Sequence, residues 1–472
     1  MSATSTAEPA EPAVPAELTE PAAPAAPAAP ASGLAARLVP RTYRGVLRQP
    51  DFRRLLAALL VSYLGDGLSV VGISLLAIRI APAGSAELVV SASLAAYALP
   101  AALGAVVLAP WLGRANARSL LVAHAMLRAV AIGAAAVLAL TDRLGPAGYV
   151  ALLGVSSLLG AWGNAGTYTM LSELFRGADR LPANALVVTG QTAAIIVGPA
   201  IAGLAVPVTG PGPIVLVDAL TYLFLALQLR RIATAGAGTG GAAANEGPAA
   251  NEGPAVGEGE AAKGRRTGHG FRLLARRPDL IGLIVVTAVF FFLYGPVEVA
   301  LPLYAVDGRD GSAGLLGAYW TLFGVGALVG GWAGGLLLRV RPWPFALAVV
   351  AGWGLALLPF GFLGPGWPTM LCLAVGGLVY GPFPAFNLAL FQNAVRPADL
   401  PAVLAARGAL TTAAGPAGML VGGPLVVLLG AGGTLLASGV ATVALAVLAG
   451  AVLLLATARR RRPAPANGAS AS

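Results

Sequence analysis

Long uncharged stretches alternate with short polar segments along most of the chain. Spanning the hydrocarbon core of a bilayer requires a helix of about 20 mostly apolar residues. Four stretches of at least that length precede residue 173, and their only charged residues are Asp66 and Arg128. Each stretch is therefore predicted to form one membrane-spanning helix. The stretches run over 55–78, 88–113, 119–140 and 144–172.

The pattern then repeats. Residues 183–229 are long enough for two spans and are interrupted by the turn sequence Pro207–Pro213. After a polar segment, the second half offers single spans at 280–306 and 313–338, and paired spans at 342–395 and 408–458. The paired spans are predicted to break at Leu363–Pro368 and Gly430–Thr434. We therefore predict an all-α membrane protein with twelve transmembrane helices in two pseudo-repeats of six.

The remaining segments are polar or rich in proline and glycine, and they set the predicted domain boundaries. Proline-rich and polar segments with few apolar residues cannot bury a core. Residues 1–48 are predicted to be a disordered Pro/Ala-rich tail that becomes basic, and 232–277 a flexible linker. Two six-helix bundles would occupy 49–231 and 278–458, followed by a basic tail over 459–472.

Composition supports a membrane protein. Of 472 residues, 57% are apolar and only 11% are charged, against about 25% charged in an average soluble domain. So few charges cannot cover the surface of a soluble chain of this length. The single cysteine, Cys372, and the two histidines, His124 and His269, exclude a disulfide framework and a His/Cys metal cluster. We therefore expect neither a metal nor another cofactor.

The basic residues predict the orientation, because short cytoplasmic loops collect Lys and Arg. With the N-terminus inside, 26 of the 30 basic residues fall on the cytoplasmic side. Only Arg143 and Arg309 fall outside, and Arg79 and Arg128 lie within spans. Both termini and the linker are therefore predicted to be cytoplasmic. Because the arginines are scattered over loops, the net charge of +10 predicts no nucleic-acid partner.

The fifth predicted helix carries a spaced set of small residues. Gly190 is followed after seven residues by Gly198 and Pro199, and then by Ala202 and Gly203. Small residues leave a face that permits close helix contact, and a proline can bend the helix. Together with the two halves of six helices, the set resembles the antiporter motif of the major facilitator superfamily. A generic Gly/Pro packing helix is the alternative interpretation.

Other short strings extend the resemblance. The loop after the second helix keeps Arg114 and Arg118 of the superfamily's charged motif, but has Gly113 where that motif has an aspartate. Ser62–Asp66, Ala183–Leu186 and Asp218–Tyr222 resemble segments of bacterial drug, macrolide and siderophore exporters. The resemblance implies a major facilitator fold, a monomer in the bacterial inner membrane, a small-molecule substrate and protons as the coupling ion.

Ionisable residues within spans are rare and mark functional sites. Asp66 and Arg128 lie near the predicted midplane, where they would form either a pair that switches its charge or a static packing pair. Asp218 and Glu298 lie nearer the external ends, where each could cap backbone donors or face a water-filled vestibule. His124 is a candidate proton relay, or else a hydrogen-bonded residue near the interface.

The sequence therefore predicts a secondary active transporter that exports a small, lipophilic compound in exchange for protons. The only lysine, Lys263, lacks the context of an ATP-binding loop. No nucleophile elbow or metal-ligand pair points to an enzyme. An uptake symporter and a non-transporting receptor or scaffold remain the alternatives. The rings of Phe290–Phe292, Tyr294, Trp320 and Phe323 would line an apolar cavity or pack against neighbouring helices and lipid.

Overall fold

A computed structural model describes residues 41–108, 115–175, 177–232, 272–273, 277–307, 312–334, 342–396 and 399–461. Within these ranges the chain forms helices and turns, and no strand is present. The helices of the first half are α1 Arg41–Arg48, α2 Pro50–Ile80, α3 Ala86–Val107, α4 Ala117–Leu140, α5 Pro146–Ser157, α6 Gly160–Leu174, α7 Arg180–Thr209 and α8 Pro211–Arg231. Those of the second half are α9 Pro278–Ala305, α10 Ala313–Gly334, α11 Pro342–Leu357, α12 Trp367–Tyr380, α13 Phe383–Ala394 and α14 Leu400–Arg461.

The helices account for twelve membrane spans. Eleven segments of the described chain are long and apolar enough to cross a bilayer, and the last of them, Leu410–Leu455, has 46 residues. At about 1.5 Å per residue it would be roughly twice as long as the bilayer core is thick. Its backbone leaves the helical conformation at Gly430, so α14 contains two spans. The predicted all-α membrane protein with two sets of six spans is confirmed.

The same turn joins the last two spans of each half. Gly210, between α7 and α8, has φ 79° and ψ 170°, and Gly430 has φ 72° and ψ 169°. This region of φ is open to glycine and disfavoured for residues with a side chain. Both turns lie within the predicted breaks. The helix before Gly210 nevertheless continues through Pro207 to Thr209.

Two spans predicted as continuous helices are divided. The fourth span consists of α5 and α6, separated at Leu158. There the Trp162 indole donates a hydrogen bond to the Gly104 carbonyl of α3 at 3.0 Å. The tenth span consists of α12 and α13, separated at Gly381 and Pro382. Proline lacks an N–H for the helical ladder, which explains the second break.

Successive spans alternate in direction and define two ends of the bundle. The distal end carries the turns at 81–85, 141–145, Gly210, 362–366 and Gly430. The proximal end carries α1 and the ends of α6, α8 and α13. Arginines cap C-terminal carbonyls at the proximal end, where positive charge is favourable. Arg118 donates to the Arg230 carbonyl at 2.6 Å, and Arg277 to that of Ala394 at 3.1 Å.

The two halves touch through α7 with α10 and through α3 with α14. A Cβ at Gly203 would lie 2.9 Å from the Cα of Gly317. The Ser91 hydroxyl donates to the Met419 carbonyl at 2.7 Å. All four residues lie in the distal halves of their spans, so these contacts hold the halves together towards the distal end.

The predicted motif in the fifth span forms close helix crossings. A Cβ at Gly198 would lie 2.5 Å from the Cα of Gly67, so α7 and α2 meet backbone to backbone. The repeat has a counterpart, because Gly295 lies against the backbone of Gly415. Gly67 and Gly295 stand at equivalent positions, since each follows the helix-starting proline by 17 residues. Ala202 of the motif is fully buried.

These crossings predict different tolerance of a methyl group at two glycines in similar sequences, Gly198-Pro-Ala and Gly415-Pro-Ala. Gly198→Ala should lower stability by about 1–3 kcal/mol, because the added Cβ overlaps backbone atoms. Gly415→Ala is the matched control, since its Cβ meets nothing within 4 Å. Heating the purified protein and measuring the fraction that elutes as a single species tests this. Equal losses in both variants would contradict the assigned crossing.

Candidate functional site

Asp66 and Arg128 form an ion pair in the middle of the first half. Asp66 is central in α2 and Arg128 is central in α4. The Arg128 Nη2 lies 2.7 Å from the Asp66 Oδ1. The Arg128 side chain is 11% exposed, whereas that of Asp66 is 35% exposed. The carboxylate is therefore the more accessible partner.

Two tyrosines complete the surroundings of the pair. The Tyr222 hydroxyl of α8 lies 2.8 and 2.9 Å from the two carboxylate oxygens of Asp66 and can donate to either. The Arg128 Cζ lies 4.6 Å from the centre of the Tyr222 ring and 4.7 Å from that of the Tyr97 ring. The guanidinium is therefore at cation–π distance from both aromatic rings.

Asp218 belongs to the same group, contrary to the expected place in a vestibule or at a kink. It is fully buried in α8, and its Oδ2 accepts a hydrogen bond from the Ser69 hydroxyl at 2.6 Å. The Asp218 Oδ1 has no hydrogen-bond partner among the described residues. Asp218 can pack against α2 because α2 has no side chain at Gly65, where a Cβ would lie 2.6 Å from the Asp218 Oδ1.

His124 lies beside this group rather than at a hydrated interface. It is 6% exposed, and its ring packs edge-on to that of Tyr222 with 5.7 Å between centroids. In the part of the chain described, its Nδ1 has no hydrogen-bond partner, which does not fit the expected hydrogen-bonded role. Gly163 of α6 provides the space, because a Cβ there would lie 2.5 Å from the His124 Cγ.

We call Asp66, Ser69, Arg128, Asp218 and Tyr222 the polar cluster. It brings two carboxyl groups and one guanidinium together within three segments that cross the membrane. With both carboxyl groups ionised the cluster carries one net negative charge, and one added proton makes it neutral. Such a cluster has the chemistry to bind and release a proton, since buried charges are stable only when paired.

Glu298 does not join the polar cluster. It lies in α9, partly buried, four residues after Tyr294 and so on the same helix face. The predicted aromatic residues nearby mainly pack between helices: Phe290 is 1% exposed and contacts Phe291 and Phe383. Tyr294 lies against Trp353 in the same way.

Three residues of the site, Tyr222, Ser69 and Tyr97, were not predicted from the sequence as functional residues. Tyr222 stands four residues after Asp218, so the i, i+4 spacing within Asp218–Tyr222 was the available signal. Ser69 and Tyr97 give no comparable signal, because isolated serines and tyrosines are common in apolar helices. Of the loop motif, Gly113 and Arg114 lie outside the described residues, whereas Arg118 caps α8.

Comparison with known proteins agrees with this architecture. The multidrug efflux pump Tap of Mycobacterium tuberculosis H37Rv is 31% identical over 402 residues, which cover 83% of this chain and 90% of that protein. Macrolide efflux protein A of Streptococcus pyogenes is 24% identical over 187 residues, which cover 39% of this chain and 46% of that protein. The crystal structure of the nucleoside transporter NupG aligns with a TM-score of 0.64 at 13% identity, covering 86% of this chain and 99% of that one.

The sequence profile of the Major Facilitator Superfamily matches residues 55–398, which is most of the membrane-spanning chain. Members of this family sit in a membrane and bind small-molecule substrates, and transport rather than catalysis is the activity of the class. The resemblance inferred from the fifth helix and the repeated halves is confirmed. The chain is a multi-pass membrane protein that belongs to the Major Facilitator Superfamily.

Proposed function

We propose that the protein exports a small, lipophilic compound in exchange for protons, by alternating access. The observation that carries the proposal is the ion pair of Asp66 and Arg128 at the centre of the first half, with Asp218 beside it. Charged residues inside a membrane are costly and are retained where they bind substrate or protons. A static packing pair would need only one carboxylate.

The charge balance assigns a proton to the two carboxyl groups. Arg128 neutralises one of them, and a second carboxylate without a cation is strongly disfavoured in a low-dielectric site. Asp66 and Asp218 therefore share one proton in the resting cluster. When a substrate or a conformational change alters the surroundings of Arg128, that proton is released.

The exposed fractions of Asp66 and Asp218 suggest which of the two exchanges protons with water. The Asp66 side chain is 35% exposed, whereas Asp218 is fully buried and bonded to Ser69. Asp66 is then the group that exchanges protons with water, and Asp218 holds a proton away from water. Tyr222 contacts Asp66 directly and follows Asp218 by one helical turn of α8.

Export and the type of substrate are inferred from the relatives. Tap is named a multidrug efflux pump, and its alignment covers most of both chains. The streptococcal relative is named a macrolide efflux protein. We accordingly assign efflux of drug-like or macrolide-like compounds to this chain.

We also propose that the protein acts as a monomer in the bacterial inner membrane with its proximal end in the cytoplasm. The proximal end collects the arginines that cap helix termini, as the positive-inside rule requires. In this orientation the distal contacts between the halves close the external side. Rocking of the two bundles, 49–231 and 278–458, would separate these contacts and close the proximal end, and the reverse movement would restore them, so the centre would open to each side in turn.

The first prediction concerns coupling, tested in proteoliposomes with labelled erythromycin and with ethidium. An acid interior should drive accumulation of at least one compound, because an antiporter exchanges internal protons for external substrate. Asp66→Asn should reduce this accumulation to the level of protein-free liposomes, yet preserve exchange without a gradient. Asp142→Asn is the control, since the Asp142 side chain is 89% exposed at the distal end.

Each other outcome has a distinct meaning. Accumulation driven by an acid exterior instead would identify an uptake symporter. No gradient-dependent or exchange transport of either compound would favour a receptor or scaffold. Wild-type accumulation by Asp66→Asn would remove Asp66 from proton coupling.

The second prediction concerns the charge balance. Arg128→Gln leaves the carboxyl groups of Asp66 and Asp218 without their cation, and loss of one partner of a buried pair costs about 3–5 kcal/mol. Protonation of the carboxyl groups relieves this charge, so the loss of thermal stability should be large at pH 8 and smaller at pH 5. Thermal unfolding of the purified protein at the two pH values measures it.

The control for that measurement is Arg54→Gln. Arg54 forms a surface pair with Asp51 at 3.5 Å, and its side chain is 54% exposed. Exposed pairs contribute about 0–1 kcal/mol, so this variant should differ little from wild type at either pH. A pH-independent loss in Arg128→Gln would indicate a packing role for Arg128 instead.

A further inference from the structure

The second half contains a carboxylate that the polar cluster does not use. Glu298 lies in a span and is partly buried. Among the described residues, no hydrogen bond or ion pair reaches its carboxylate, and the ion pairs found there join other acids. An ionisable residue at this depth is expected to have a partner. Glu298 is therefore open to a partner that is not part of the protein.

Aromatic rings from four helices gather on the side of α9 that bears Glu298. Tyr294 precedes Glu298 by one helical turn, and its ring lies 5.5 Å from that of Trp353 in α11. The Tyr294 ring also stacks on that of Tyr380 in α12, with 6.5 Å between centroids and 21° between planes. Phe323 of α10 lies 5.7 Å from Tyr380 and 5.5 Å from Trp353. We call Tyr294, Phe323, Trp353 and Tyr380 the aromatic cage.

The cage is supported from behind but retains accessible ring surface. Trp353 is 2% exposed, and Phe290, whose ring lies 6.2 Å from that of Tyr380, is 1% exposed, so these two buried rings support the cage. Tyr294, Phe323 and Tyr380 are each partly exposed. Next to Phe323, the buried Nε1 of Trp320 is a hydrogen-bond donor with no acceptor in the part of the chain described. The group thus offers a negative charge and several ring faces.

We propose that Glu298 and the aromatic cage bind the positively charged group of a lipophilic organic cation. A carboxylate neutralises such a charge, and aromatic faces attract it within about 6 Å of their centroids. The inference rests on the proposed function in one respect, namely that this ligand is the transported substrate.

The positions of Glu298 and the aromatic cage also put the proposed substrate site and the proposed proton site in different halves of the protein. Tyr294 occupies in α9 the position that Asp66 occupies in α2, because each follows the proline that starts its helix by 16 residues. The first half therefore presents a carboxyl group where the second presents a ring. The proton would bind in the first half and the cation in the second.

Equilibrium binding to the purified full-length protein in detergent tests the inference without any gradient. The probe is labelled triphenylmethylphosphonium, and triphenylphosphine oxide is its uncharged analogue. We expect Glu298→Gln to weaken binding of the cation about tenfold or more and to leave binding of the uncharged analogue unchanged. Glu173→Gln, at an exposed glutamate of α6, is the control and should bind the cation as wild type does.

A second pair of variants tests the cage. Tyr294→Leu removes a ring and should weaken cation binding about two- to fivefold, whereas Tyr294→Phe keeps the ring and should bind normally. This pair decides the matter even if Glu298→Gln fails to fold. Unchanged cation affinity in Glu298→Gln, or in Tyr294→Leu where Glu298→Gln does not fold, would overturn the proposal, and so would equal losses for the cation and the uncharged analogue.

Failure of the proposed function looks different. If the cation binds in a Glu298-dependent manner but no pH gradient moves it, the binding site stands and proton-coupled export is wrong. If gradient-driven transport depends on Asp66 but cation binding is unchanged in Glu298→Gln, proton-coupled export is supported and the assigned cation site is wrong.

Discussion

The cost of placing a charge near the middle of a bilayer is the constraint that determines most of the side-chain contacts in the first half. Insertion of an Asp or Arg there costs about 2.5–3.5 kcal/mol, so the group needs a partner and a shield from lipid. Asp66 obtains both from α4 and α8, through Arg128 and Tyr222. Because α8 packs against both α2 and α4, these contacts depend on the close approach of α2 to α8, which Gly65 makes possible. Glycine on α2 is thus as necessary to the site as its charges.

The repeat preserves this backbone arrangement while changing the chemistry. Gly67 and Gly295 form equivalent close crossings, and Gly210 and Gly430 form equivalent turns. Side chains beside the crossings differ, since the second half replaces a charged cluster with aromatic rings. Backbone packing therefore determines the common shape of the two bundles, and a few side chains separate their roles.

Much of the fold was predictable because spans are specified by composition over long windows. The sequence also placed Asp66 and Arg128 at matching depths, and the structure pairs them through helices that both pack against α8. Asp218 was misplaced, because its distance from the end of a span says nothing about which neighbours face it. The divided fourth span was missed for a similar reason: the bond from Trp162 to Gly104 joins residues 58 apart. Short-range patterns do not encode such contacts.

The fifth span connects the two regions that the proposed cycle uses. Gly198 of α7 contacts Gly67, the neighbour of Asp66, through backbone atoms. One turn or so further along, Gly203 contacts Gly317 of α10, and the Thr321 hydroxyl of α10 lies 3.2 Å from the Ile196 carbonyl of α7. Because no side chain cushions these contacts, a shift of α2 must displace α7 rather than be absorbed locally. Since α10 also carries Phe323, α7 provides a continuous physical connection from the carboxyl groups of the first half to the rings of the second.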